Sequence, residues 1–218
     1  MATIKGWHFV ANDKKLGYCD GRLVEVGKTY TVSDERELEL CEYGLHASKR
    51  LIDALQYAPS NIICRVELDA PIVHGDDKMV SYSRKVLAMI DGERILHEFA
   101  CQCAEYALSF DINPDPRSVA AIQAKRDWLD GKITNQELAA ARDAARDAAR
   151  GAARDAARGA ARDAARDAAR DAARGAAWDA AWDAARDAAR GAAWDAAWDH
   201  LNKILTKMVT AAIKKGGA

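Results

Sequence analysis

The feature that most restricts the fold of this chain is a four-residue repeat that ends at Asp199. Arg or Trp occupies every fourth position from Arg142 to Trp198, the next position is Asp or Gly, and alanine fills the other two. Alanine has the best intrinsic helix propensity of the amino acids. The sequence therefore predicts an all-α, alanine-rich repeat over residues 139–199.

A period of four does not match the α-helix, which turns every 3.6 residues. Four residues advance about 400° around the axis, so the Arg row drifts by about 40° per repeat. A single long helix would therefore have no constant apolar face. Two alternatives stay open: a solvated alanine-rich rod, or several short helices separated at Gly159, Gly175 and Gly191, which are sixteen residues apart.

Within the repeat, large apolar side chains occur only from Trp178 onward, as four tryptophans. Exposed indoles four residues apart would create a costly apolar patch, so we expect the tryptophans to pack against another helix, the N-terminal domain or another subunit. The segment 200–218 then has apolar residues at i, i+3 and i+4 spacing, which predicts an amphipathic helix that packs internally or forms a homo-oligomer. The residues predicted to pack are Trp178, Trp182, Trp194, Trp198, Leu201, Ile204, Leu205 and Met208.

Residues 111–138 connect the repeat to what precedes it. The stretch DINPDPRS contains two prolines and reads as an interdomain connection. Ser118 is predicted to cap a short helix that reaches Leu129. Thr134 and Glu137 in TNQE match a capping box, in which each residue satisfies a backbone N–H of the other, so the helical repeat is predicted to begin there.

Residues 1–110 have the patterning of an ordinary globular domain. Segments such as IKGWHFV, NIICRVELD and RKVLAMID predict strands, and ERILHEFACQCAEYALSF has helical spacing. A helix is predicted after Ser48, its expected N-cap, and is expected to stop at Pro59. The fold class is thus an α+β N-terminal domain, a small mixed sheet with helices, followed by an all-α tail.

Composition excludes several functional classes. The net charge of -1 argues against a nucleic-acid-binding protein, which would carry a basic excess. No stretch has the length and apolarity of a membrane span or a signal peptide, so no membrane partner is expected. The five cysteines, an odd number without CxxC pairs, suggest reduced thiols in a cytoplasm and no metal site.

The order of the motifs GWHFV, CEYGLHAS with ALQYAP, and VEL…GDDK…RK resembles a family of short domains of unknown function encoded by phages and prophages. WLDGKITNQELAAARDAARDAAR is similar to the alanine-rich tails of such proteins. This resemblance implies no settled activity.

His8 in an early strand, followed by GLHASKRLIDALQY, is also similar to the NAD-binding motifs of ADP-ribosyltransferases. This resemblance implies that a His would hold the ribose, and it makes a set of residues candidates for ligand binding. No catalytic Glu is assigned, since Glu67 and Glu98 qualify only as carboxylates, and no catalytic residue is predicted. The ligand-binding candidates are His8, Gly44, His46, Ser48, Tyr57 and Glu67.

The sequence therefore supports three hypotheses about function. The first is a non-enzymatic phage accessory protein that binds a small ligand or a host protein, with counter-defence by capture of an NAD-like or cyclic nucleotide as one version. The second is an ADP-ribosyltransferase-like enzyme that uses NAD. The third is a purely structural protein that self-assembles through its tail. No bound cofactor is expected under the first hypothesis.

Overall fold

A computed structural model describes residues 2–17, 20–151 and 177–216, with the backbone alone described for 177–194. The chain divides into two compact units. One contains Met1–Phe99 together with Trp198–Ala218, and the other contains Ala100–Ala197. The predicted domain boundaries, 1–110, 111–138, 139–199 and 200–218, stay predictions.

The larger sheet of the first unit has four antiparallel strands. They are β1 (Thr3–Val10), β2 (Thr29–Thr31), β4 (Ile62–Asp69) and β7 (Ser83–Asp91), in the order β1-β4-β7-β2. The alternation of apolar residues predicted β1, β4 and β7 well, because each presents one side to a core. A bulge opposite Arg65 and Val66 shifts the register between β4 and β7.

A smaller sheet lies against the first. Its strands are β3 (Leu45–Ala47), β5 (Ile72–His74) and β6 (Met79–Ser81), in the order β3-β6-β5. The backbones of Trp7 and Ser48 exchange two hydrogen bonds of 2.8 and 2.9 Å, which join β1 to the end of β3. The core includes Val10, Tyr30, Leu45, Ala47, Cys64, Val66, Leu68, Met79 and Val86. The predicted α+β class is confirmed.

The helix after β3 is shorter than predicted. Helix α1 is Leu51–Leu55 and its N-cap residue is Arg50. The Arg50 side chain makes no capping hydrogen bond. The predicted N-cap Ser48 is wrong, because the backbone of Ser48 is paired with Trp7 and its side chain is 2% exposed. The helix also ends before the predicted stop at Pro59.

Helices form the second unit and its borders. They are α2 (Glu93–Leu108), α3 (Pro116–Leu129) and α4, helical from residue 135 to residue 151. The predicted N-cap of α3, Ser118, is wrong. The N-cap is Asp115, whose carboxylate accepts a hydrogen bond from the Arg117 backbone N–H. The predicted capping box is confirmed: Thr134 N–H donates to Glu137 Oε2 at 2.7 Å, and Glu137 N–H donates to Thr134 Oγ1 at 3.3 Å.

The last helix, α5, is Ala177–Gly216. Its backbone continues through Gly191, one of the three glycines at which the sequence allowed a break. Gly159, Gly175 and most of the repeat lie outside the described residues, as do the side chains of Trp178, Trp182 and Trp194. Among the helices that are described, none combines the length and the apolar character that crossing a membrane requires.

Candidate functional site

The first candidate, His8, lies on β1 and is half-buried. It pairs across the sheet with Cys64 of β4, so both side chains are on the face that meets the smaller sheet. Burial is the main cause that lowers the pKa of His8 well below its ordinary value, and the charges of Arg84 and His46 lower it further. His8 is therefore a neutral imidazole at physiological pH.

The second histidine, His46, lies on β3 and is also held neutral. Its Nε2 atom accepts a hydrogen bond from the Cys41 backbone N–H at 2.9 Å, which requires that nitrogen to be unprotonated. Burial lowers the pKa of His46, and the positive charges of Arg84 and Lys78 act in the same direction. The two candidates lie on strands that the Trp7–Ser48 pairing joins, and the charge of a protonated His46 would also lower the pKa of His8.

Arg84 of β7 is a buried cation, with 3% of its surface exposed. Its Nη1 atom donates to the His46 carbonyl oxygen at 2.6 Å, while its Nε has no hydrogen-bond partner. Among the described residues no carboxylate forms an ion pair with it. Burial lowers the pKa of Arg84 to about 10, so the guanidinium still carries its charge at neutral pH.

A chain of contacts leads from His46 to the surface. Lys78 Nζ donates to Cys41 Sγ at 2.9 Å and lies 4.3 Å from the centroid of the Tyr57 ring. The Tyr57 hydroxyl donates to the Asp77 carboxylate, and Tyr57 is 53% exposed. The hydrogen bonds with Cys41 and Tyr57 raise the pKa of Lys78.

These contacts place two cations, Lys78 and Arg84, near the candidate His46, together with the neutral His8. We call His8, His46, Lys78 and Arg84 the cationic cluster. It runs from the core side of the larger sheet to the exposed ring of Tyr57. A site of this composition can bind an anion by charge and by N–H donation.

Gly44 shapes the backbone beside the cluster. Its φ of +116° is one that residues with a Cβ rarely adopt, and a Cβ there would meet Val80 Cγ2 and lie 2.8 Å from Leu38 Cδ2. Glycine therefore allows the turn into β3 that positions His46.

The remaining ligand-binding candidates lie elsewhere. Ser48 is buried at the junction of the two sheets. Glu67 is three residues from Cys64 on β4 and therefore points to the opposite face of the sheet from His8, in register with Lys5 and Lys85. The structure does not bring Glu67 together with the cationic cluster. In the described part of the chain, no group of three His, Cys, Asp or Glu side chains is arranged to hold a metal ion.

The sequence reasoning missed Arg84, the most buried charge of the domain. One signal was present: in SRKVLAMID, Arg84 occupies the same alternating side of the strand as Val86. An inward-facing arginine in an otherwise regular strand is uncommon, since arginine is rarely fully buried unless it is paired. The partner strand residue is Tyr30, itself 1% exposed.

Comparison with known proteins gives one match. Residues 4–98 match a family model described as "Domain of unknown function (DUF7666)", so this domain is present in the chain. No curated protein and no solved structure matches the chain.

Proposed function

We propose, with a domain of unknown function at residues 4–98 as the premise, that this domain is a non-enzymatic binding module for a small anionic ligand of the nucleotide class. The observation that carries the proposal is Arg84. A buried charge is costly unless it is paired and hydrogen-bonded, yet this guanidinium has one hydrogen bond, to a neutral carbonyl. A site that keeps such a charge without a carboxylate is suited to an anionic partner.

Phosphate groups fit the donors that the cluster offers. The planar guanidinium of an arginine matches the oxygens of a phosphate in a bidentate way. Lys78 adds a point charge at the surface, and the exposed ring of Tyr57 offers a flat apolar face beside it. A phosphate joined to a base would use the charges and the ring together. The likeness of His8 and GLHASKRLIDALQY to NAD-binding motifs supports the same ligand class.

The absence of an acid from the cluster supports binding without turnover. Glu67 lies on the other face of β4, and the Asp77 carboxylate accepts a hydrogen bond from the Tyr57 hydroxyl. In the setting that the phage resemblance suggests, the module would capture a nucleotide signal of host immunity in the host cytoplasm. A host protein that presents a phosphate or an acidic group is the alternative partner of the same surface.

Calorimetric titration of the full chain tests this proposal. The probes are ADP, pyrophosphate and adenosine, and the variants are Arg84→Gln and, as a matched control, Arg36→Gln. Arg36 is an exposed arginine of the same domain that pairs with Glu39 and Glu42. We expect ADP and pyrophosphate to bind the wild type and Arg36→Gln, and to bind Arg84→Gln at least about tenfold more weakly. Binding that Arg84→Gln leaves unchanged, or no binding of either anion, would refute the proposal.

A second function is favoured by one observation, the proximity of His8 and His46 on adjoining strands. Trp7, next to His8 on β1, pairs with Ser48, two residues after His46, and both histidines belong to the segments that resemble ADP-ribosyltransferases. An enzyme that transfers ADP-ribose from NAD would consume NAD or modify a host protein, and His8→Ala would abolish this activity. Preparations that bind NAD but leave it intact support the binding module instead.

Self-assembly through the tail is a separate proposal. The charge asymmetry of the repeat supports it, because residues 142–174 contain nine Arg and six Asp whereas residues 175–199 contain two Arg and five Asp, which favours antiparallel or head-to-tail association. Light scattering of the full chain tests it. A mass above that of one chain is expected, and a monomeric mass at high concentration would reject it.

A further inference from the structure

The C-terminal end of α5 contacts the start of α1, in the same compact unit. Trp198 Nε1 donates a hydrogen bond to Asp53 Oδ1 at 3.1 Å. Asp53 is a charged residue with only 7% of its surface exposed. The indole thus satisfies a carboxylate that α1 buries.

Two further contacts surround this hydrogen bond. Arg50 forms ion pairs with Asp53, at 3.2 Å, and with Asp199, at 2.9 Å. The Ile52 backbone N–H donates to Asn202 Oδ1 at 3.2 Å. Helix N-termini leave N–H groups without intrahelical partners, and Arg50 supplies no side-chain cap to α1. Asn202 therefore acts as a cap for α1 from 150 positions away in the sequence.

The apolar residues of the same helix face are fully buried. Leu205 and Val209 are both 0% exposed. Trp198, Asn202, Leu205 and Val209 are spaced by four, three and four residues, which places them along one side of a helix. Lys203 and Lys207, on the other side, are exposed. One face of the C-terminal helix is thus committed to the first unit by packing and by polar contacts.

From these contacts we infer that residues 198–216 are the last element of the domain that begins at residue 4. The alanine-rich repeat is then an insertion within one folded domain and not a terminal tail. The match to the family model ends at residue 98, so this closing helix lies beyond it in the sequence. The surface formed by Arg50, Ile52 and Asp53 thus binds the helix of residues 198–216.

This arrangement predicts that the number of repeats can vary. The contacts named above join residues 50–53 to residues 198–202, and the buried side chains Leu205 and Val209 also come after the repeat. Removal of the sixteen-residue unit 159–174 takes away none of these residues, so the helix after the repeat should stay in place.

Hydrogen exchange of β1 and β4 in the full chain tests the inference. Three variants are compared: deletion of residues 159–174, Leu205→Ala, and Lys203→Ala as the exposed control on the same helix. A buried Leu→Ala substitution commonly costs enough stability to speed exchange by about thirtyfold or more. We expect that effect in both strands for Leu205→Ala, with less than about threefold change for the deletion and for the control.

A milder pair of variants covers the case in which Leu205→Ala does not fold. Asp53→Asn and Trp198→Phe should be coupled, because side chains in contact have non-additive effects. The double variant should thus exchange more slowly than the product of the two single effects. Additive effects in this cycle would overturn the inference. So would unchanged exchange in Leu205→Ala, or a deletion as damaging as that substitution.

Discussion

Acid should destabilise the first unit well before its carboxylates titrate, because two of its histidines are held neutral. The pKa of His8 and that of His46 are both lowered in the folded chain, mainly by burial and also by nearby positive charges. In the unfolded chain each histidine takes up a proton as the pH falls through the ordinary value of 6.5. Below that pH the unfolded state binds more protons, so stability falls.

The size of the effect follows from the number of protons. Each histidine that stays neutral in the fold removes up to about 1.4 kcal/mol per pH unit below 6.5. For His8 and His46 together the loss between pH 7.5 and 5.5 is at most about 3 kcal/mol, the limit for two imidazoles that stay neutral in the fold throughout this range. Asp20, a carboxylate of lowered pKa in the same unit, loses its contribution only below its ordinary value of 3.8. The two effects occupy separate pH windows.

Urea unfolding at fixed pH values from 7.5 to 5.5 measures this loss directly, with backbone circular dichroism of the β-sheet as the signal. His8→Gln removes one of the two titrating groups and should lower the slope of stability against pH by about half. His74→Gln replaces an exposed histidine of β5 and should keep the wild-type profile. A wild-type stability that does not change across this range would refute the reasoning, as would a full slope in His8→Gln.

Three further substitutions test single contacts. Gly44→Ala should destabilise the domain by more than about 1–3 kcal/mol, because the strained φ and the steric overlap act together. The control is Gly21→Ala, which should cost less because Gly21 has a φ of +72° but lies in open space. Equal melting temperatures of the two variants would contradict this. Thr134→Ala removes the capping box and should lower the stability of α4 by about 1 kcal/mol. Amide hydrogen exchange at the first turn of α4 should become faster, and unchanged exchange would contradict the prediction. Arg84→Lys keeps the charge but loses the planar fork, so it should weaken pyrophosphate binding, and full affinity would argue against bidentate contact.

The parts of the fold that the sequence predicted are those with local patterns. β1, β4 and β7 alternate apolar and polar residues over eight or nine positions, and α2 has a helical period over sixteen residues. The capping box at Thr134 is likewise a local signal. In each of these the pattern and the structure depend on the same few neighbouring residues.

Features that depend on distant pairings were missed. β6 has three residues and is defined by its partners β3 and β5. Ser48 was assigned to a helix cap because its pairing with Trp7, 41 positions away in sequence, leaves no local trace. Asn202 shows nothing in its own surroundings that marks it as the cap of α1.

The candidate site divides along the same line. The motif GLHAS identified His46, which belongs to the cationic cluster, and Gly44, which lies two residues before it. Arg84 and Lys78 join that cluster through strand pairing and through contacts between loops. The period-four geometry predicts no constant apolar face for residues 139–199, and that prediction lies largely outside the described residues. It does not indicate that the Trp198 indole donates to Asp53.

The most direct test of the central claim is nuclear magnetic resonance of the Arg84 side chain in the full chain. Its Nε–H group, which has no hydrogen-bond partner in the structure, gives a signal that Arg84→Lys assigns by its loss. Titration with ADP should shift this signal saturably, while the Nε–H signal of Arg36 stays in place. An Arg84 signal that does not move at saturating ADP would contradict the account.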